Sequence, residues 1–252
     1  SQALPLEEGE QSLSFLPLSH VFERMAGYYF MIRHGACIAY AESMQTVPRD
    51  ILIVRPTVAA AVPRFYEKVY AKIFESVESF STLKRKIFNW AIRVAARHAQ
   101  FRLQKKRAGA LLDCAYVLAK ILVLNKIKSQ LGGRIRFFIS GGAPLAKELA
   151  EFFYAVDFLI LEGYGLTETS PAISVNVPED FRFGTVGKIL SCAEVRIAED
   201  GEILTRGPCV MAGYYKNEAA TQEAVRDGWF YTGDIGAFDE GGFLKITDRK
   251  KD

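Results

Sequence analysis

The sequence predicts an α/β fold, a mostly parallel sheet with flanking helices plus a smaller β-rich subdomain. Three observations carry this prediction. Short apolar runs at 12–18, 36–40 and 51–54 are each followed by a helical stretch, the alternation a parallel sheet requires. A strand, a glycine turn and a helix succeed one another over 135–154. After about Asn176 the helices shorten and strand pairs with glycine turns take over.

The 252 residues, half of them hydrophobic, suffice for one large domain or two smaller ones. A net charge of +3 over this length does not call for nucleic acid as a partner. The charge is unevenly placed, because 81–112 holds nine Lys or Arg and no acid, leaving 23 basic against 29 acidic residues elsewhere. Four cysteines, Cys37, Cys114, Cys192 and Cys209, lie far apart without metal-ligand spacing, which favours a reducing, cytoplasmic setting. The apolar run 111–124 is too short for a bilayer and contains Asp113 and Lys120. The chain does not begin with Met and shows no signal peptide, so it is expected to be a piece of a longer protein.

Taken in order, 12–18 alternates apolar and polar residues before Pro17, as a strand running into a loop does. His20 stands where an apolar helix begins, a position that suits packing or hydrogen bonding more often than catalysis. The runs 36–40 and 51–54 read as further short buried strands, the second closed by Arg55, Pro56 and Thr57. A basic helical insert fills about 65–130, with an apolar stripe of Leu83, Ile87, Ala91, Val94, Ala95, His98 and Phe101. Its surrounding Lys and Arg suit either a solvated face or contact with an anionic membrane. The run 135–139 is a strand, and Pro144 fits the first turn of the helix that follows. A strand at 158–161 leads into a second glycine-rich turn, which would leave both turns at one edge of the sheet. Beyond it, 194–198 and 202–205 flank Asp200 and Gly201 as a hairpin. A short helix is expected over 218–225.

Residues 163–171 read Gly-Tyr-Gly-Leu-Thr-Glu-Thr-Ser-Pro. Glycines let a backbone approach a ligand closely, and Tyr164 offers a flat ring for a flat base. The Thr167 hydroxyl suits a phosphate oxygen and the Glu168 carboxylate suits magnesium, which takes oxygen ligands and few of them from protein. The stretch is equally consistent with a tight turn capped by Thr167 or Ser170. In the last strand pair, counting outward from the turn at 239–242 sets Asp234 opposite Arg249. A carboxylate there could take both hydroxyls of a ribose, and the pair could also be an ordinary exposed ion pair.

Five motifs occur together in one order: Ser-Gly-Gly-Ala-Pro-Leu (140–145), the nine residues 163–171, Gly-Glu-Ile-Leu-Thr-Arg-Gly (201–207) with Gly213-Tyr214, Tyr-Thr-Gly-Asp (231–234) and Asp-Arg-Lys-Lys-Asp (248–252). On these the chain resembles the adenylate-forming superfamily, which includes acyl-coenzyme A synthetases, luciferases and the adenylation domains of peptide synthetases. Leu-Pro-Leu-Ser-His-Val-Phe-Glu-Arg (16–24) and the basic insert are most similar to long-chain fatty-acid-coenzyme A ligases.

The resemblance implies activation of a carboxylic acid by ATP to an acyl-adenylate, then transfer to coenzyme A, with Mg2+ as cofactor. It places Gly141, Gly142 and Ala143 at the junction of adenine and acyl group, Glu162 at the adenine edge, and Tyr164 between Gly163 and Gly165 on the base. It gives Thr167 the α-phosphate, Glu168 the magnesium, Asp234 the ribose hydroxyls with Arg249 beside it, and His20 the mouth of the acyl tunnel. Lys251 falls at the hinge to a C-terminal domain. The organisation implied is an α/β part over 1–176, a β-rich subdomain over 177–248 and the hinge at 249–252. The superfamily's phosphate loop and C-terminal lysine are absent from these residues, so the fragment alone is expected to have little or no ligase activity. The acid could instead be aromatic or an amino acid, or the chain could be a non-catalytic nucleotide-binding relative. Fatty acid, ATP and coenzyme A are the expected partners, with peripheral contact at the inner face of a membrane an added expectation and oligomeric state left open.

Overall fold

A computed structural model describes residues 4–7 and 9–250. The chain divides into two compact units, one of Leu6–Leu16 with Met31–Ile160, the other chiefly of Pro17–Phe30 and the residues from Leu161 onward. The composition change at Asn176 therefore lies inside the second unit.

In the first unit, strands β1 (Gln11–Ser14), β2 (Cys37–Tyr40), β3 (Val58–Ala61) and β4 (Phe137–Ser140) form a parallel sheet in the order β2-β1-β3-β4. β3 and β4 are buried at every position, as befits parallel strands covered on both faces. β2, expected to be buried, is half exposed because it forms the edge of the sheet.

The expected strand at 51–54 is the end of a helix, α2 (Val47–Val54). Pro48 sits in its first turn, where a missing N–H costs nothing, and the Thr46 hydroxyl donates to Asp50 Oδ2 at 2.6 Å. Local β propensity yields here to that helix start. Arg55 closes the helix in the left-handed region (φ 49°), Pro56 prevents its continuation, and the strand comes next as β3.

Helices α3 (Pro63–Glu78), α4 (Thr82–Leu103), α5 (Ala110–Ala119) and α6 (Asn125–Ser129) make up the insert, the last two joined by a π-helical stretch at Lys120–Leu124. On α4 the buried residues are Phe88, Ala91, Ala95 and Ala99; Ala91 and Ala95 belong to the predicted stripe, whose Ile87, Val94, His98 and Phe101 are half-buried and whose Leu83 is exposed. Small alanines face inward because they let neighbouring helices approach closely. α7 (Lys147–Ala155) begins two residues later than the Leu145 start the sequence suggests, so Pro144 lies in the turn before it. The core of this unit is aromatic: fully buried Tyr66 meets Phe138 and Phe153 edge-on, at 5.5 and 5.8 Å between ring centroids.

Asp157, just after α7, gathers the insert. It accepts hydrogen bonds from Tyr116 Oη at 2.7 Å and Arg102 at 2.9 Å, and Lys120 Nζ lies at 3.0 Å. Burial works against its charge, but these donors outweigh burial and hold its carboxyl below the ordinary value. A carboxylate lowered in the folded state contributes stability at neutral pH that is lost as pH falls through the usual carboxylate range, near pH 4. Asp157→Asn should lower stability at pH 7 by about 1–2 kcal/mol, since Arg102 and Lys120 reach solvent and are screened. Urea unfolding at pH 7 and pH 3.5 checks this, because the variant should lose less than the parent between the two.

Candidate nucleotide site

The second unit carries the nine-residue motif. Strand β5 (Leu159–Gly165) pairs antiparallel with β6 (Ala172–Val175), which pairs with β7 (Lys188–Ile189). Gly163, Tyr164 and Gly165 thus belong to a strand, and the predicted glycine turn is displaced to 166–171. Gly165 is obligatory for backbone reasons: a Cβ there would stand 1.5 Å from the Pro171 carbonyl oxygen, at a bulge in the β5–β6 register. Gly163 has room, its nearest neighbour being 3.4 Å from such an atom.

Between the strands, Thr167–Thr169 form one 3-10 turn. Its staple is Thr169, fully buried, whose hydroxyl accepts the Leu166 N–H at 2.8 Å and donates to the Pro171 carbonyl at 2.6 Å. In the sequence only its place two residues before Pro171 marks Thr169 out. The turn ends at Ser170 in the left-handed region (φ 57°). Held this way, Thr167 is exposed and Glu168 half-buried, side by side. Glu168 is fastened twice: Met211 N–H donates to its carbonyl at 2.7 Å, and Tyr214 Oη donates to its Oε1 at 2.9 Å. Burial and the neighbouring carboxylate both raise the Tyr214 phenol, keeping it a donor.

A five-stranded sheet adjoins in sequence. Its strands are β8 (Glu194–Ile197), β9 (Glu202–Arg206), β10 (Val225–Arg226), β11 (Trp229–Phe238) and β12 (Leu244–Arg249), with α8 (Glu218–Ala224) inserted. The predicted hairpin at Asp200-Gly201 is present, with Gly201 at φ 86°. The antiparallel register of β11 and β12 sets Asp234 opposite Arg249, as counting from the turn expected. Tyr164 Oη donates to Asp234 Oδ2 at 2.6 Å. Burial, then Asp234, push the Tyr164 phenol well up, so it remains a donor. Tyr164 is 9% exposed and packs with Ile173, Ile203 and Leu244, so little of it is open to a ligand.

Glu202 is buried beneath this strand end, accepting Gly233 N–H at 2.9 Å and Lys250 Nζ at 2.8 Å. Thr232 Oγ1 donates to the Ile203 carbonyl at 2.7 Å and accepts Asp234 N–H at 3.1 Å. Both residues lie inside the motifs 201–207 and 231–234, but neither is assigned a role there, because their partners are known only once the strands pair.

The remaining predicted residues are less concentrated. Glu162 is buried in β5, its carbonyl accepting Asn176 N–H at 2.8 Å. In the first unit, Gly141, Gly142 and Ala143 follow β4 directly, with Gly142 in the left-handed region (φ 80°) and both Gly142 and Ala143 exposed. His20 is exposed, and its Nδ1 accepts Phe22 N–H at 3.2 Å just before a π-helix at Glu23–Tyr29. A cavity of about 260 Å³ lined by Leu18, Arg24, Tyr28 and Tyr29 lies nearby in sequence, and His20 does not line it. Lys251 lies outside the described residues. No cluster of three or more metal-ligating side chains occurs among the described residues. A single half-exposed carboxylate such as Glu168 fits magnesium nonetheless, because that ion usually completes its shell with phosphate oxygens and water.

The sequence matches the AMP-binding enzyme family over residues 1–215. It is 40% identical over 250 residues to long-chain-fatty-acid–CoA ligase FadD15 of Mycobacterium bovis, covering 98% of this chain and 40% of that protein. It is 38% identical over 255 residues to long chain acyl-CoA synthetase 1 of Arabidopsis thaliana, covering 95% and 37%. The N-terminal domain of FACL13 from Mycobacterium tuberculosis has the same fold, with a TM-score of 0.67 at 20% identity, covering 99% of this chain and 52% of that one. The chain spans less than half the length of these two curated relatives.

The two glycines of the motif should differ sharply on substitution. Gly165→Ala should destabilise the protein by about 3 kcal/mol or more, since the added carbon must displace backbone, whereas Gly163→Ala should cost about 1 kcal/mol or less. The urea midpoints of the two variants check this.

Proposed function

Because the chain belongs to the AMP-binding enzyme family, we propose that it is the nucleotide-handling part of an enzyme that activates a long-chain fatty acid as its coenzyme A thioester. A carboxylate oxygen attacks the α-phosphorus of ATP, the bond to the β-phosphate breaks, and pyrophosphate leaves with its electrons. The coenzyme A thiol then attacks the acyl carbon of the adenylate, loses its proton and displaces AMP. Such chemistry needs alignment and neutralised charge more than covalent help from protein.

One observation carries the reading: Thr167 and Glu168 stand side by side at the surface of a turn whose backbone Gly165 and Thr169 hold fixed. Thr167 would donate to the α-phosphate. Glu168 would hold magnesium, whose charge offsets that of the phosphate oxygens when bound. Asp234, already oriented by Tyr164, would accept from the ribose hydroxyls, with Arg249 its neighbour across the strand pair. Tyr164 and Glu162 are assigned to the adenine, and Gly141, Gly142 and Ala143 to the adenine and acyl junction, by their place in the motifs. His20 is assigned to the acyl entrance on the same ground. The choice of a fatty acid over an aromatic or amino acid is supported by the names of the relatives and by the 16–24 motif with its basic insert.

In the complete enzyme, Thr167→Ala and Glu168→Gln should each lower thioester formation about 100-fold or more. Pyrophosphate release measured with a long-chain fatty acid, a benzoate and an amino acid tests the substrate class. An undiminished thioester yield in both variants would overturn the assigned roles.

We further infer that the insert meets an anionic membrane surface. Lys84, Arg85 and Lys86 at the start of α4, and Lys105, Lys106 and Arg107 at its end, are exposed. Leu111, Leu118 and Ile121 on the following helical stretch are exposed too, 90%, 50% and 61%. Basic groups beside an apolar helix face suit the interface of an acidic bilayer. No helix among the described residues is long and apolar enough to cross a membrane. Co-sedimentation with phosphatidylglycerol vesicles should fall when the six basic residues become Gln, and should stay low with phosphatidylcholine alone. Equal binding by parent and variant would refute the inference.

A further inference from the structure

Glu168 sits on a turn of three residues, and its side chain has three rotatable bonds that the turn itself does not fix. A metal ligand of that kind needs a second group to fix its rotamer. We propose that Tyr214 is that group: a positioning residue whose hydroxyl holds the Glu168 carboxylate in the orientation that receives the divalent cation of a nucleotide complex. The proposal rests on the reading of Glu168 given above and adds a residue to it.

The geometry points one way. Tyr214 Oη donates to Glu168 Oε1 at 2.9 Å, using one of about four lone pairs of the carboxylate and leaving the others for a cation. Three residues earlier, Met211 N–H donates to the Glu168 carbonyl at 2.7 Å, so one short segment grips both the backbone and the side chain of Glu168. That segment is itself anchored. Tyr214 N–H donates to Thr221 Oγ1 at 2.9 Å, and Thr221 Oγ1 donates to the Asn217 carbonyl at 2.8 Å. Asn217 Oδ1 caps α8 by accepting Ala220 N–H at 3.1 Å. Gly213, at φ 152°, has no space for a side chain, because a Cβ would lie 2.8 Å from Thr221 Cγ2. A chain of contacts thus runs from α8 through Thr221 and Tyr214 to Glu168. Tyr214 is 38% exposed, so its ring contributes little to the core, and the hydroxyl is the part whose loss matters.

The test uses the complete enzyme and a readout other than turnover. Binding of Mn2+ is followed by the paramagnetic resonance of the free ion in the presence of α,β-methylene-ATP, which cannot undergo the first half-reaction. Tyr214→Phe should raise the Mn2+ Kd on the order of tenfold, as loss of one hydrogen bond to a charged group implies. Its thermal midpoint and its affinity for the analogue without metal should match the parent. Thr221→Val, which frees the Tyr214 backbone, should shift the Mn2+ Kd in the same direction by less. Glu168→Gln separates the possible failures. If it weakens Mn2+ binding while Tyr214→Phe does not, the positioning role is refuted and the metal role of Glu168 stands. If Glu168→Gln binds Mn2+ as the parent does, the metal role falls and the proposal with it. Weakening of metal-free analogue binding by Tyr214→Phe to the same extent would mark a general structural loss and also overturn the proposal.

Discussion

The close approach of two backbone segments, Gly165 against the Pro171 carbonyl, is the constraint on which the motif's geometry depends. Any side chain at 165 would occupy the oxygen's place, so β5 could not bulge and return as β6 within six residues. The reversal leaves polar backbone groups in a buried corner, and the Thr169 hydroxyl satisfies two of them at once. What remains facing outward is the pair that chemistry would want exposed, a hydroxyl at 167 and a carboxylate at 168.

A second set of polar ties organises the five-stranded sheet. A buried carboxylate is costly unless it is fully paired. Glu202 is paired by Gly233 N–H and by Lys250, which Asp200 shares and whose ammonium both acids stabilise. These bonds draw the end of β12 and the Gly233 bulge of β11 together, and the Tyr164 hydroxyl reaches Asp234 one residue further on. The Asp234 carboxylate is thus held by a phenol and its backbone N–H by Thr232, with Arg249 opposite it. A ligand arriving there would meet groups already in place, which lowers the ordering cost of binding.

In the helical unit the same economy is reached with apolar groups. Rings of Phe65, Tyr66, Phe138, Phe153 and Phe158 interlock in tilted and edge-on contacts, and alanines line the inward face of α4. Asp157 supplies the polar fastening, tying α4, α5 and the π-helical stretch to the end of α7.

Much of this was legible in the residues. The βα alternation, the glycine hairpin at Gly201, the extent of the basic insert and the facing of Asp234 and Arg249 all follow from short-range rules of period and turn chemistry. The motif order at 140–145, 163–171, 201–207, 231–234 and 248–252 was enough to mark the family. Where reading failed, a competing local term decided. The β-branched run 51–54 became helix because Pro48 and Thr46 start one upstream, and Gly163 to Gly165 became strand because β6 pairs with it. Roles that depend on contacts far apart in sequence were decided only by the tertiary structure. Thr169 against Pro171, Tyr164 against Asp234 across 70 residues, Glu202 under Gly233, and Tyr214 on Glu168 across 46 are invisible until strands pair, because a hydrogen bond depends on distance in space, which sequence periodicity does not specify.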